Sequence, residues 1–276
     1  LLFLFSFFVW ESIVMEAGGV LDVPSMKNKV SAAEWGQRED LAALYRVAAH
    51  MGYQDITLNH FTARVPDAPD RFLIKPEQLM FEEVTASSLL CFTLEDEQVY
   101  PSPLSKSPAS FNIHGSVLKA RPDTGCVMHL HTDAGAALSA LECGLMFISQ
   151  YAMRFWNKVA YHTYEGLVHG EGNDECAKMV RDLADKTVLI MYNHGTMVVG
   201  RTVGEAFLLN HYLERACSIQ MEVLRSGRPI IEPDDKVVAE IAAGWIENRP
   251  NPGIAGKRDW AAVRRQMDRL YPDYRD

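Results

Sequence analysis

The sequence predicts a layered α/β or α+β domain, in which hairpin-joined strands are flanked by helices, and not a strict β-α-β repeat. Three observations carry this. Several short apolar or alternating runs follow one another with only turn residues between them, as strands do. Segments with apolar residues at helical spacing stand before, between and after those runs, with start and stop signals at their ends. Finally, 48% of the 276 residues are hydrophobic and 23% charged, which supplies enough apolar surface for a core.

The elements follow in order. The stretch AAEWGQREDLAALYRVAAHM has helical spacing and stops at Gly52. ITLNHFTARV, FLIK and LLCFTL read as three strands separated by turns. In SPASFNIHGSVLKARPD, Ser107 is a candidate cap, Pro108 fits the first helical position and Pro122 stops the helix, which carries Ser110, His114 and Leu118 on one face. GCVMHL reads as a buried strand and AGAALSALE as a small-residue helix that packs closely. KTVLIMYNHGTMVVG reads as two strands joined around Asn193 to Gly195, and Thr202 with Glu205 opens a long helix to Gly227 as a capping box. Two further helices are expected in DKVVAEIAAGWIE and WAAVRRQMDRLY. No repeat or low-complexity linker is visible. The division is therefore an uncertain N-terminal extension over 1–30, one domain over 31–227 and a helical appendage over 228–276.

Lys plus Arg total 27 against 36 Asp plus Glu, a net charge of −9, which argues against nucleic acid as a partner because phosphate contacts need a basic face. Cys91, Cys126, Cys143, Cys176 and Cys217 are widely spaced without a C-x-x-C pair, which points to reduced thiols and a cytoplasmic location. LLFLFSFFVW is intensely apolar but far shorter than the ~20 residues of a membrane span. It reads as a signal-like remnant or as sequence upstream of a start at Met15, so no membrane partner is expected.

The candidate chemistry centres on VMHLHTDAG. Residues i and i+2 of a strand share a face, so His129 and His131 present their imidazoles side by side, as a metal chelate would. One core histidine and one solvent-facing histidine would satisfy the same pattern, so a third ligand is needed. His194 is the candidate, because a glycine in the NHG turn can bring its ring into a cleft. His211, on the long helix, reads as a packing residue, and His162 and His169 flank a loop or edge region.

HLHT, followed 63 positions on by NHG, then a short strand and a long Glu- and Leu-rich helix, resembles the class II aldolase/adducin family. NHFTARVP and ARPDTGCVMHLHT extend the resemblance from about Asp40 to Leu224. It implies a three-layer α/β/α domain around a largely antiparallel sheet, commonly a homotetramer, acting on a small-molecule substrate. It also implies that His129, His131 and His194 bind a divalent metal, with Zn²⁺ first and Fe²⁺ as the alternative. Three neutral imidazoles suit such an ion and leave positions open for a substrate oxygen.

The chain departs from the sugar-phosphate aldolases of that family in two places. Ser110 stands where they carry an acidic proton-transfer group, and a serine needs another base to act as one. Their phosphate-binding Gly-Asn, Thr-Gly and Ser-Ser stretches read here as LNHF, KPEQ and SPAS, which keeps Asn59 but brings in Glu77 and Pro108. A carboxylate there repels phosphate, so the expected substrate is a non-phosphorylated hydroxy- or keto-acid. The resemblance then implies an aldolase-type lyase, cleaving a C–C bond or decarboxylating through a metal-stabilised enolate. His60, Tyr161 and Tyr164 are the candidate catalytic residues, with His60 as a proton shuttle of near-neutral pKa. Asn59, Ser110 and Asp133 are the candidate substrate contacts, Asp133 fitting equally well as a carboxylate at a helix start. The C-terminal YPDYRD fits either a mobile tail or a segment that reaches another subunit, where Tyr271 or Tyr274 is a candidate acid. Two rival expectations are a non-haem Fe(II) oxygenase on the same scaffold and a non-enzymatic assembly module of the adducin kind.

Overall fold

The computed structural model describes residues 23–163, 174–245 and 255–276. Tyr164, His169 and the apolar N-terminal stretch lie outside the described residues. Seven strands form one sheet: β1 (His60–Val65), β2 (Ala68–Ile74), β3 (Leu90–Thr93), β4 (Cys126–Leu130), β5 (Val159–His162), β6 (Val188–Met191) and β7 (Gly195–Gly200). Their order is β3-β2-β1-β4-β7-β6-β5, and every neighbouring pair is antiparallel except β5 with β6. The protein is thus α/β with a mixed, mostly antiparallel sheet.

Helices cover both faces. On one face lie α1 (Ala32–His50), α3 (Asp133–Ser139), α4 (Gln150–Met153) and α6 (Val203–Arg225), packed over Phe61, Met128, Leu130, Ile190 and Val198. On the other lie α2 (Pro108–Ala120) and α5 (Glu175–Leu183), which bury Val127, Leu189, Met197 and Val199. Three layers result. Alternation along each strand sorts the residues: Cys126, Met128 and Leu130 face the first layer of helices, while Val127 and His129 face the second.

The two helix starts that the sequence marks with a cap are found. Ser107 accepts the N–H of Ser110 with Pro108 at the first position of α2, and Thr202 accepts the N–H of Glu205 at the start of α6. α7 (Asp235–Gly244) is capped by Asp234, and α8 (Lys257–Leu270) packs against α1 and α6. The C-terminal stretch joins the core, with Trp260, Met267 and fully buried Tyr274 in the cluster beneath α1. The Tyr274 hydroxyl donates to Asp268, so this tyrosine serves its own domain and is not on an outreaching tail.

Three expectations change. The strand predicted over ITLNHFTARV begins only at His60, because Ile56 (φ 48°) and Asn59 (φ 62°) adopt left-handed backbone that ends pairing. Val159–His162, for which the sequence predicts no element, forms β5, the edge strand of the sheet, paired parallel to β6. α4 and α5 were not predicted, and the four residues of α4 are too few to carry a period.

Candidate metal centre

β4 ends at Leu130, and its side-chain alternation puts His129 and His131 on the face covered by α2 and α5. His194 sits in the turn between β6 and β7, and Gly195 follows it because a Cβ there would strike the Leu130 carbonyl. That close approach brings the turn over the end of β4. His131 Nε2 lies 2.9 Å from His129 Nε2 and 3.0 Å from His194 Nε2. The three possible ligand atoms all fall within 4.8 Å of one another.

The second nitrogens are oriented from behind. His129 Nδ1 lies 3.0 Å from the Thr196 carbonyl, which can only accept, so the ring's proton sits on Nδ1 and its Nε2 is bare. His131 Nδ1 lies 3.4 Å from Asp55 Oδ2, a carboxylate partner of the kind that orients metal-binding histidines. Thr132, next in the chain, caps α3 by accepting the N–H of Gly135 and donates to Glu214 Oε2 at 2.6 Å. Burial pushes the Glu214 carboxyl up to about 7, against the Thr132 hydrogen bond that lowers it.

Burial also lowers the histidines. His129 is held well below 6.5 by burial and by His60, His131 and His194. His194 is held down at about 4 by burial and by its histidine neighbours, with Glu175 opposing. His131 is lowered by burial against the pull of Asp55. Neutral rings with nitrogens about 3 Å apart repel unless something positive lies between them, and a single proton on His131 Nε2 serves two neighbours poorly. The donor set fits a divalent cation.

The cluster opens into a cavity of about 600 Å³, whose wall also includes Asn59, His60, Lys75, Glu77, Ser107 and Ser110. Asn59 Nδ2 donates to the Tyr53 carbonyl at 3.3 Å, and its left-handed backbone sets His60 at the start of β1 opposite His129. Ser110 is 5% exposed at the first turn of α2. Lys75 donates from Nζ to the carbonyls of Thr57 (2.9 Å), Pro76 (3.0 Å) and Leu79 (2.6 Å), and burial lowers its amine to about 8. Glu77 stands exposed at the mouth, accepting the Ser105 hydroxyl at 2.8 Å.

Not every sequence candidate gathers here. Tyr161 points to the opposite face of the sheet, in the cluster beneath α6, where its hydroxyl accepts the Leu145 N–H at 2.9 Å. That orientation, fixed by strand alternation, removes it from the candidate set. Asp133 is exposed as the first residue of α3, beside the positive end of the helix and outside the cavity wall. His60 does line the cavity, but burial and the neighbouring His114 hold it well below 6.5, so it does not titrate near neutrality. His162 is buried between Glu175 (2.9 Å from Nε2) and Asp182 (2.7 Å from Nδ1), beside the back of His194. His211 stacks on Phe207. Asp55, Lys75 and Glu214 were missed. Asp55 and Glu214 are acidic residues far from the histidines in sequence, and no local pattern marks them.

The chain matches the family described as the Class II Aldolase and Adducin N-terminal domain over residues 39–221. It is 40% identical over 265 residues to a Caulobacter vibrioides protein provisionally named aldolase class 2 protein, covering 94% of this chain and all of that one. It is 37% identical to rat alpha-adducin over 83% of this chain, but spans only 32% of adducin's length. The crystal structure of an aldolase II superfamily protein from Pseudomonas syringae is similar with a TM-score of 0.84 and 38% identity, covering 92% of this chain and all of that one. The fold is also that of L-fuculose 1-phosphate aldolase from Glaciozyma antarctica, with a TM-score of 0.75 at 23% identity over 94% of this chain and 97% of that one.

Proposed function

Because the chain belongs to the class II aldolase and adducin family, we propose that it is a metal-dependent lyase acting on a non-phosphorylated hydroxy- or keto-acid, by C–C cleavage or decarboxylation. The observation that carries this is the convergence of three Nε2 atoms on one point at the wall of a 600 Å³ cavity. His129, His131 and His194 hold the ion. When bound, a divalent ion supplies a Lewis acid that polarises a substrate carbonyl or hydroxyl.

The chain's own groups do the rest. Thr196 and Asp55 orient His129 and His131. Asn59 and Ser110 offer polar contacts to the substrate from the cavity wall. Lys75 spends its three donors on backbone carbonyls, so it contributes positive potential to the cavity and no free hydrogen bond. Glu77 at the mouth repels a phosphate. Zinc as the ion, a homotetramer and a cytoplasmic location belong to the same proposal.

The test is metal content of protein purified without oxygen, beside His129→Ala and His194→Ala, followed by a screen of hydroxy- and keto-acids for release of aldehyde, ketone or carbon dioxide. Near-stoichiometric zinc lost in both variants, with metal-dependent release, is the expected outcome. Iron with substrate-dependent oxygen uptake would replace the lyase by an oxygenase. Protein without metal would favour an assembly role, a reading supported by the similarity to alpha-adducin.

A further inference from the structure

Behind the cavity runs a chain of three side chains that the proposed chemistry leaves unassigned. His60 Nδ1 lies 2.7 Å from His114 Nε2, and His114 Nδ1 lies 2.8 Å from Thr62 Oγ1. His114 and Thr62 are both fully buried. His60 lines the cavity, and its Nε2 has no protein partner among the described residues.

Two imidazoles joined nitrogen to nitrogen cannot both be doubly protonated, and with no carboxylate bonded to either ring even one buried charge is costly. Neutral rings leave two arrangements. In the first, His60 Nδ1–H donates to His114, His114 Nδ1–H donates to Thr62, and His60 Nε2 is bare. The Thr62 hydroxyl hydrogen then has no acceptor among the described residues, and an orphaned buried donor is costly. In the second, the Thr62 hydroxyl donates to His114 Nδ1, His114 Nε2–H donates to His60 Nδ1, and the His60 proton sits on Nε2. Every hydrogen in the buried chain is then used.

We propose that His60 is a hydrogen-bond donor to the substrate rather than a base: Thr62 and His114 fix its proton on Nε2, the nitrogen left to the cavity. Resting on the lyase reading, this assigns His60 to the substrate oxygen that gains negative charge during bond cleavage, as a neutral imidazole does where a fixed tautomer polarises a carbonyl. His114 and Thr62 are positioning residues. The chain also gives a physical role to the helix that carries Ser110 where a carboxylate would be expected: its next turn supplies His114, which orients a donor in place of an acid.

The experiment is a two-bond ¹⁵N–¹H correlation spectrum of the full chain labelled at histidine, zinc-loaded, with His60→Gln and His114→Gln spectra for assignment. Both rings are expected to carry the proton on Nε2 with Nδ1 bare. A proton on His60 Nδ1, or on both of its nitrogens, would overturn the proposal. Thr62→Val is expected to move the His60 nitrogens toward the average of the two tautomers, and unchanged positions would overturn the part given to Thr62. With oxalate bound as an anionic probe, the Nε2 proton should shift downfield; an unmoved resonance would overturn the donor role. The tautomer is read without turnover, so a protein that proves not to be a lyase would still answer this question separately.

Discussion

The two faces of the sheet differ in what they bury. Beneath α1 and α6 the strands present Phe61, Met128, Leu130, Ile190 and Val198, and that face is filled. On the other face the same strands present Val127, Val199 and Met197 under α2 and α5, but also Thr62, His60 and His129 near the ends of β1 and β4. Tyr161 and His162 are neighbours on β5, and one packs into apolar surroundings while the other is bonded to two carboxylates. Period-two alternation therefore does two jobs: it seals one face and equips the other. The site lies where the helical cover of the second face runs out.

This comparison can be broken in four ways. Phe155, fully buried on the filled face, should lose about 4 kcal/mol of stability on Phe155→Ala while zinc affinity stays unchanged, read by urea unfolding and by chelator competition. A large loss of zinc affinity would mean the faces are coupled. His194→Ala should do the reverse, weakening zinc by more than about 100-fold, since even outer partners of metal ligands cost 10–100-fold. Unfolding of the metal-free variant should be little changed.

The third test is electrostatic, because the two sides respond to pH with opposite sign. His194 has a folded pKa of about 4, below its ordinary 6.5, so through this group the metal-free protein is at full stability above 6.5 and loses stability as pH falls toward 4, where the buried ring must charge. Glu214 has a folded pKa of about 7, above its ordinary 4.5, so its contribution is full below 4.5 and is lost as pH rises through 7. Glu214→Gln should therefore be more stable than the unaltered metal-free protein at pH 8 than at pH 5.5, by on the order of 2 kcal/mol. Equal differences at both pH values would mean that Glu214 is ionised throughout. The smallest effect is expected of Asp55→Asn, whose 3.4 Å contact places it at the weak end of outer-shell partners, at about 10-fold in zinc affinity. An unchanged affinity would leave His131 oriented by its backbone alone.

Much of this was legible in the sequence because the signals are local. His129 and His131 are two residues apart on a strand, and Gly195 next to His194 marks a turn. The caps at Ser107 and Thr202 likewise need only three residues of context. What stayed hidden is separated in the chain: His131 meets Asp55 across 76 positions, His129 meets the Thr196 carbonyl across 67, and His60 meets His114 across 54. Tyr161 shows the opposite failure, a polar residue in a promising stretch whose face is set by its register with β6. Ile56 and Asn59 broke the strand-like run because their backbone is left-handed, a conformation that Asn favours and that Ile does not announce.

The burial of Tyr274 beneath α1 has a consequence for how the molecule is made. Arg46 of α1 pairs with Asp273 across 227 positions, and the backbone N–H groups of Ala86 and Ser87 bond the carbonyls of Tyr274 and Asp276. At ~10 residues per second on a ribosome, α1 emerges about 20 s before the segment that closes over it. During that interval the apolar face of α1 lacks the part of its cover that Met267 and Tyr274 supply. The cover of α1 is therefore completed only after residues 271–276 have been made.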